Sequence, residues 1–350
     1  MIELTINTVK PYPVQIGAGL LAQAGALSAP LIAGRKALIA AGERVFSLYG
    51  AALRRSLEDA GFCVYSSVYP SGEDAKTPET MMGILDALSR NDFSRADAVF
   101  ALGGGVTGDM AGLAAALYQR GLACVLLPTT LLAAVDASVG GKTAVNLPKG
   151  KNQMGVFSQP RLVLCDTDTF HTLPDEIWRE GWAEIIKTSF LRPGRLQRLL
   201  EEERPEARLE EIIALCLQTK GELIAADEYD HGVRRLLNFG HTIAHAIEHG
   251  TSYRWSHGAA VAAGMAMITR AACALGYCDG ECVQTLESLL ARFSLPTRCE
   301  LGREQLLAAM RADKKRSDGR INLVVARRYG CCEVIEVDVD KLGDWLDAGL

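Results

Sequence analysis

The sequence predicts an α/β N-terminal domain built on a parallel sheet, followed by a mainly α-helical C-terminal domain, and three observations carry that prediction. Short apolar or β-branched runs alternate with amphipathic stretches as far as residue 166. One of those runs, Ala98 to Leu102, feeds straight into a glycine-rich turn. Beyond Pro174 the apolar positions recur mostly at helical spacing.

Taken in order, Met1 to Ile6 alternates as a strand does and lacks the basic start and apolar run of a secretion signal. Lys36 to Ala41 reads as a strand, Val45 to Ala60 as a helix, Cys63 to Val68 as a strand and Pro78 to Asn91 as a helix. Ala98 to Leu102 is a buried strand, Gly103 to Asp109 a turn, and Met110 to Tyr118 a helix. Cys124 to Leu127 is a strand ended by Pro128, Val139 to Asn152 a flexible loop, and Arg161 to Asp166 the last strand of this half. Helices follow over Glu176 to Leu191, Leu209 to Asp227, Thr242 to His249, Ala259 to Leu275 and Glu281 to Phe293, with one late strand-like run, Ile321 to Ala326. The domain boundary falls near residue 170, giving domains 1–170 and 171–350.

A chain of 350 residues, 49% hydrophobic, suffices for two cores. With 37 basic and 42 acidic side chains the net charge is −5, and no long single-sign block favours a nucleic-acid partner. The ten cysteines are mostly scattered through apolar segments, as buried thiols of a cytoplasmic protein would be; Cys273, Cys278 and Cys282 lack paired metal-site spacing and read as structural thiols. Ala259 to Leu275 is broken by Arg270 and is too short for a membrane span.

A strand ending in Gly103, Gly104 and Gly105 and feeding a helix through Val106, Thr107, Gly108 and Asp109 opens backbone N–H groups to an anion, such as a dinucleotide pyrophosphate. The spacing is not Gly-x-Gly-x-x-Gly, and a plain structural turn is the other reading. Ser71-Gly72-Glu73-Asp74-Ala75-Lys76 follows a strand where an adenosine ribose could be held, and Thr129-Thr130 ends another strand on the same sheet edge. Lys142, Lys149, Lys151 and Asn152 stand beside flexible backbone that suits a phosphate, whereas Asp136 lies in an apolar run where an unpaired carboxylate is costly.

Four of the six histidines fall between His241 and His257. His241 and His245 share a helical face, and Glu184 lies one turn from Lys187 on another helix. Glu184, His241 and His257 form the donor set of a catalytic zinc site, or else each histidine is a hydrogen-bonded core residue and Glu184 a plain salt-bridge partner. His245 suits proton transfer, Glu248 is either its orienting partner or an exposed carboxylate on a helix, and Lys187, Lys220 and Arg234 supply cations for an anionic substrate.

Together these segments resemble the 3-dehydroquinate synthase family over about Ser71 to Lys315. The most specific matches are GGGVTGDMAG at 103–112, PTTLLAAVDASVGGKTAVN at 128–146, GKNQMGVF at 150–157, AEIIK at 183–187, RRLLNFGHTIAHAIE at 234–248, WSHG at 255–258 and DKK at 313–315. The resemblance implies a Rossmann-like NAD domain, a helical domain with one divalent metal (zinc or cobalt), and a homodimer. It places the metal on Glu184, His241 and His257, and NAD on Ser71 to Lys76, the glycine turn, Thr129, Thr130, Lys142, Lys151 and Thr169-Phe170-His171-Thr172. Substrate contacts fall on Asp136, Lys142, Asn152, Lys187, Lys220, Arg234, Asn238, His245 and Lys314 or Lys315, with Arg120 reaching the neighbouring subunit. The implied reaction turns DAHP, a seven-carbon phosphosugar acid, into 3-dehydroquinate through transient oxidation by NAD, phosphate elimination, reduction, ring opening and aldol closure.

The chain departs from the family at Asp230, where Glu is usual and a proton-transfer or orienting role is expected, and at Ala134, Ala137, Ala244 and Ala259. These changes leave open a sister cyclase (2-deoxy-scyllo-inosose synthase or amino-dehydroquinate synthase), a metal-dependent polyol dehydrogenase, or an inactive NAD-binding regulator.

Overall fold

The computed structural model describes residues 1–313 and 319–350, so Lys314 and Lys315 lie outside the described residues. The chain divides into two compact units, Met1–Leu173 with Leu209–Ala225, and Pro174–Arg208 with Ala226–Leu350. Sequence reading places one boundary near residue 170; the helix Leu209–Ala226 instead belongs almost wholly with the first unit. Periodicity identifies a helix but not its neighbours.

In the first unit a seven-stranded sheet runs β1-β2-β9-β6-β5-β3-β4. The strands are β1 (Ile2–Ile6), β2 (Tyr12–Gly17), β3 (Lys36–Gly42), β4 (Cys63–Tyr69), β5 (Ala98–Gly103), β6 (Ala123–Pro128) and β9 (Leu162–Asp166). All pairings are parallel except the β1–β2 hairpin. The central strands read as unbroken apolar runs because both faces are covered. Ala37, Ile39, Phe100 and Leu102 pack with Leu53 and Leu57 on one face; Leu38, Ala40, Val99 and Ala101 pack with Ile84, Leu88 and Met110 on the other. Each buried Leu, Ile or Phe contributes about 1.5–3 kcal/mol. Strand β2 is absent from the sequence reading because Pro11 and Pro13 interrupt its pattern, yet its Val14 and Ile16 are fully buried.

Two local expectations need correcting. The segment Val139 to Asn152 is not a loop: β7 (Lys142–Leu147) and β8 (Gly150–Phe157) form an antiparallel hairpin, in which Thr143, Ala144 and Val145 are buried. Its glycines and lysines hide that strand character. The helix expected from Met110 starts at Gly105 and runs to Leu117, so much of the glycine turn is already its first turn.

Asp97, buried just ahead of β5, accepts from Ser94 N and Oγ (2.7 and 2.8 Å), Arg35 N (3.1 Å) and Lys36 N (3.0 Å), tying β3 to β5. Burial alone would raise its carboxyl, but these donors outweigh burial and hold it below the ordinary value of 3.8. A depressed folded value means that the stabilisation is complete above the unfolded pKa and is lost as pH falls through the folded one. Asp97→Asn should therefore cost about 1–3 kcal/mol in urea unfolding at pH 7, and the gap to the parent should narrow in strong acid.

The second unit is mainly helical: Asp175–Leu191, Arg195–Glu201, His241–Gly250, His257–Ala274, Gly280–Arg292, Arg303–Asp313 and Leu342–Gly349, with a hairpin of β10 (Arg320–Arg328) and β11 (Cys331–Asp338). Strand β11 escapes the sequence reading because Glu333, Glu336 and Asp338 break its pattern and only Val337 is buried. His257–Ala274 is the buried centre. It crosses the start of His241–Gly250 at backbone contact: Gly240 sits at φ +80°, and a Cβ there would lie 2.8 Å from Met265 N and 3.0 Å from Val261 O. All ten cysteines are free thiols, and no helix among the described residues is long and apolar enough to cross a membrane.

Candidate active site

In the first unit, β5 runs directly into the helix Gly105–Leu117, whose opening N–H groups have no partners in the preceding turn and suit an anion. Two threonine side chains leave no room for larger residues there: a Cβ on Gly104 would lie 3.1 Å from Thr130 Cγ2, and one on Gly103 2.5 Å from the Thr107 hydroxyl. Thr129 is 2% exposed and its hydroxyl has no hydrogen-bond partner among the described residues. These features fit a bound dinucleotide.

The lysine of the Ser71-to-Lys76 turn is buried rather than solvated. Lys76 Nζ lies 2.5 Å from both Asp109 Oδ2 and Asn152 Oδ1. Glu73 accepts from Asn146 (2.8 Å) and lies 3.6 Å from Lys151. Burial pushes the Asp109 carboxyl up, against the pull of Lys76. The hairpin, the glycine turn and this turn thus form one polar network, to which Asn146 adds a member that sequence reading leaves without a role. Gly72 takes φ +110°, a conformation glycine adopts at little cost.

Asp136 is paired: Lys220 reaches its Oδ1 at 2.8 Å and its carbonyl at 2.7 Å. Lys142 is exposed at the start of β7 and lines one pocket with Asp109, Ser138 and Thr143. Thr169 and Phe170 are buried, the Thr169 hydroxyl donating to Asp166 O (2.7 Å), whereas His171 and Thr172 are exposed and Thr172 meets Tyr49. Ser71, Asp74 and Arg120 are exposed, and Ala75 is buried.

In the second unit, Glu184, His241 and His257 come together from three helices, with donor atoms all within 4.8 Å of one another. Both histidines turn Nε2 toward one oxygen, Glu184 Oε1, at 3.7 Å for His241 and 3.5 Å for His257. Ligands about 2.0–2.2 Å from a tetrahedral zinc lie roughly 3.3–3.5 Å apart, so one nitrogen–oxygen separation matches and the other is slightly long. Each Nδ1 faces elsewhere: His241 toward Phe239 O (3.2 Å), His257 toward Glu248 Oε2 (3.5 Å). The donor set fits a divalent metal.

Glu184 Oε2 is 2.5 Å from Lys187 Nζ, both side chains 1% exposed. Burial, followed by the Lys187 charge, pushes the His241 imidazolium down to about 3. Burial acts the same way on His257, but hydrogen bonds to Glu184 and Glu248 outweigh it and raise it to about 10. Glu248 thus faces His257, its Oε2 3.5 Å from Nδ1, where helical spacing alone points to His245. His245 is exposed, its ring 5.8 Å from that of His241.

Arg234 is 1% exposed, with Nη1 donating to Glu228 O at 2.5 Å. Its loop is folded around Asp227, which accepts from His231 N (3.0 Å), Gly232 N (2.7 Å) and Arg234 N (3.1 Å). Asn238 closes the 3-10 turn Val233–Asn238, half-buried. Asp230 takes φ +63°, a left-handed conformation that Asp tolerates better than most residues, Glu included.

The sequence comparisons decide the family. Profiles described as 3-dehydroquinate synthase N-terminal and C-terminal match residues 66–180 and 181–316. A 3-dehydroquinate synthase of Xanthomonas axonopodis pv. citri is 43% identical, the alignment covering 97% of this chain and 95% of the relative. The chain belongs to the 3-dehydroquinate synthase family. The 3-dehydroquinate synthase of Nitrosococcus oceani is 44% identical, covering 97% and 96% of the two chains. Among solved structures, ValA (2-epi-5-epi-valiolone synthase) from Streptomyces hygroscopicus, with NAD+ and Zn2+ bound, superposes at TM-score 0.88 with 28% identity over 98% of this chain and 96% of that one. A 2-deoxy-scyllo-inosose synthase matches at TM-score 0.89 over 100% of both chains with 23% identity, a likeness of fold. The two-domain architecture of this 3-dehydroquinate synthase family member is thus shared with sugar phosphate cyclases.

Proposed function

We propose that this protein is a cytoplasmic, homodimeric 3-dehydroquinate synthase that uses NAD and one divalent metal, zinc or cobalt, to convert DAHP into 3-dehydroquinate and phosphate. The observation that carries this reading is the convergence of Glu184, His241 and His257 beside Lys187, in a chain 42–44% identical to enzymes of that name. When bound, NAD supplies a hydride acceptor and later donor, and the metal supplies Lewis acidity.

The chain's own residues do the rest. The glycine turn and Thr129 receive the dinucleotide, and the Lys76 network fixes the neighbouring Ser71–Lys76 turn. Lys187 pairs with Glu184 Oε2 and leaves Oε1 turned toward the two histidines. Arg234, its guanidinium preset by the Glu228 carbonyl, offers a fork to carboxylate or phosphate. Lys142, Asn152 and the Lys220-held Asp136 bind and orient substrate polar groups, as does Asn238. His245 moves the proton at the departing phosphate. Asp230 keeps a carboxylate in the Arg234 loop for an orienting role, and Arg120 serves the neighbouring subunit.

Relatives and sites favour this over the sister cyclases, and the complete metal set speaks against an inactive binding protein. With NAD and metal present, phosphate release from DAHP and not from glucose 6-phosphate is expected. The opposite preference would overturn the substrate assignment.

A further inference from the structure

We infer that Glu248 is a positioning residue that sets the ring of His257 for metal binding, an inference that rests on the metal reading above. The start of the His257–Ala274 helix is fixed by backbone features: Ser256 caps it by accepting from Ala259 N at 3.4 Å, and a Cβ on Gly258 would lie 2.5 Å from Glu180 Cα. Those features place the His257 backbone but leave its ring free to turn over, because the terminal torsion of a histidine is broad and roughly two-fold. A turned ring would put Cε1 where Nε2 is needed and Cδ2 where Nδ1 faces Glu248.

Glu248 removes that freedom. It projects from the His241–Gly250 helix, is 3% exposed, and its Oε2 lies 3.5 Å from His257 Nδ1 while Nε2 of the same ring lies 3.5 Å from Glu184 Oε1. The two ring nitrogens are thus assigned to two carboxylates, one on the ligand side and one behind. A carboxylate is costly to bury, and an N–H donor from the ring offsets that cost. His241 has the same arrangement with a different acceptor, its Nδ1 3.2 Å from Phe239 O. Glu248 therefore does for His257 what the Phe239 carbonyl does for His241.

The test uses cobalt(II) as the probe, titrated into the full-length metal-free protein and its Glu248→Gln, Glu248→Ala and His241→Ala variants, against a competing chromogenic chelator. Glu248→Ala is expected to weaken cobalt binding about 10–100-fold and to shift the visible cobalt bands. Glu248→Gln should recover part of both, since its amide oxygen still accepts from Nδ1. A purely structural Glu248 would lower the melting temperature of the metal-free variants without moving the affinity or spectrum of the folded protein. Parent affinity and spectrum in both folded Glu248 variants, with binding lost in His241→Ala, would overturn the inference and leave the metal reading standing. Failure of the parent to bind cobalt at all would overturn both.

Discussion

His241→Ala should lose both the metal and turnover. The imidazole supplies one of three converging donors, and two donors rarely hold a catalytic metal against dilution. Since a metal contributes several kcal/mol of transition-state stabilisation, the activity should fall roughly 10³-fold or more. Folding should survive, because the side chain sits at the first position of the helix His241–Gly250, where alanine is well accommodated. Metal content after gel filtration, read beside circular dichroism and phosphate release, checks this. A folded variant with full activity would show that the ligand set is wrong.

Gly258→Val should damage the same site by another route. A Cβ at this position would lie 2.5 Å from Glu180 Cα and 2.7 Å from Glu180 O, backbone atoms of the helix Asp175–Leu191 that cannot turn aside. The two helices must separate, carrying His257 away from Glu184. Overpacking of this kind costs about 1–3 kcal/mol, and metal affinity should fall with it. Gly83→Ala is the control: nothing lies within 4 Å of a Cβ there, in the middle of the helix Pro78–Arg90. That change should leave metal binding alone and be neutral or stabilising by up to about 1 kcal/mol. Melting curves and cobalt titrations of both variants separate the two cases.

The parts of the fold legible in the sequence are those whose chemistry is local. Strands β3, β5, β6 and β9 are buried on both faces and so are continuous apolar runs, and the helices carry their own periodicity. Strand β2 is held by neighbours in spite of Pro13, and β7 and β8 are held by each other among glycines and lysines. Nothing in those short segments announces a partner. The site divides the same way. His241 and His245 are legible as one helical face, but the approach of His257 to Glu184 depends on three helices meeting, which spacing alone cannot show. Glu248 marks the limit most clearly: its spacing points to His245, and packing gives it to His257.

The most direct test of the account is to incubate the purified protein with DAHP, NAD and a divalent metal, and to measure phosphate, product and NADH together. The prediction is one phosphate and one 3-dehydroquinate per DAHP consumed, with no more NADH at any time than there is enzyme. NADH rising in step with turnover, or DAHP left intact by metal-loaded protein, would contradict it.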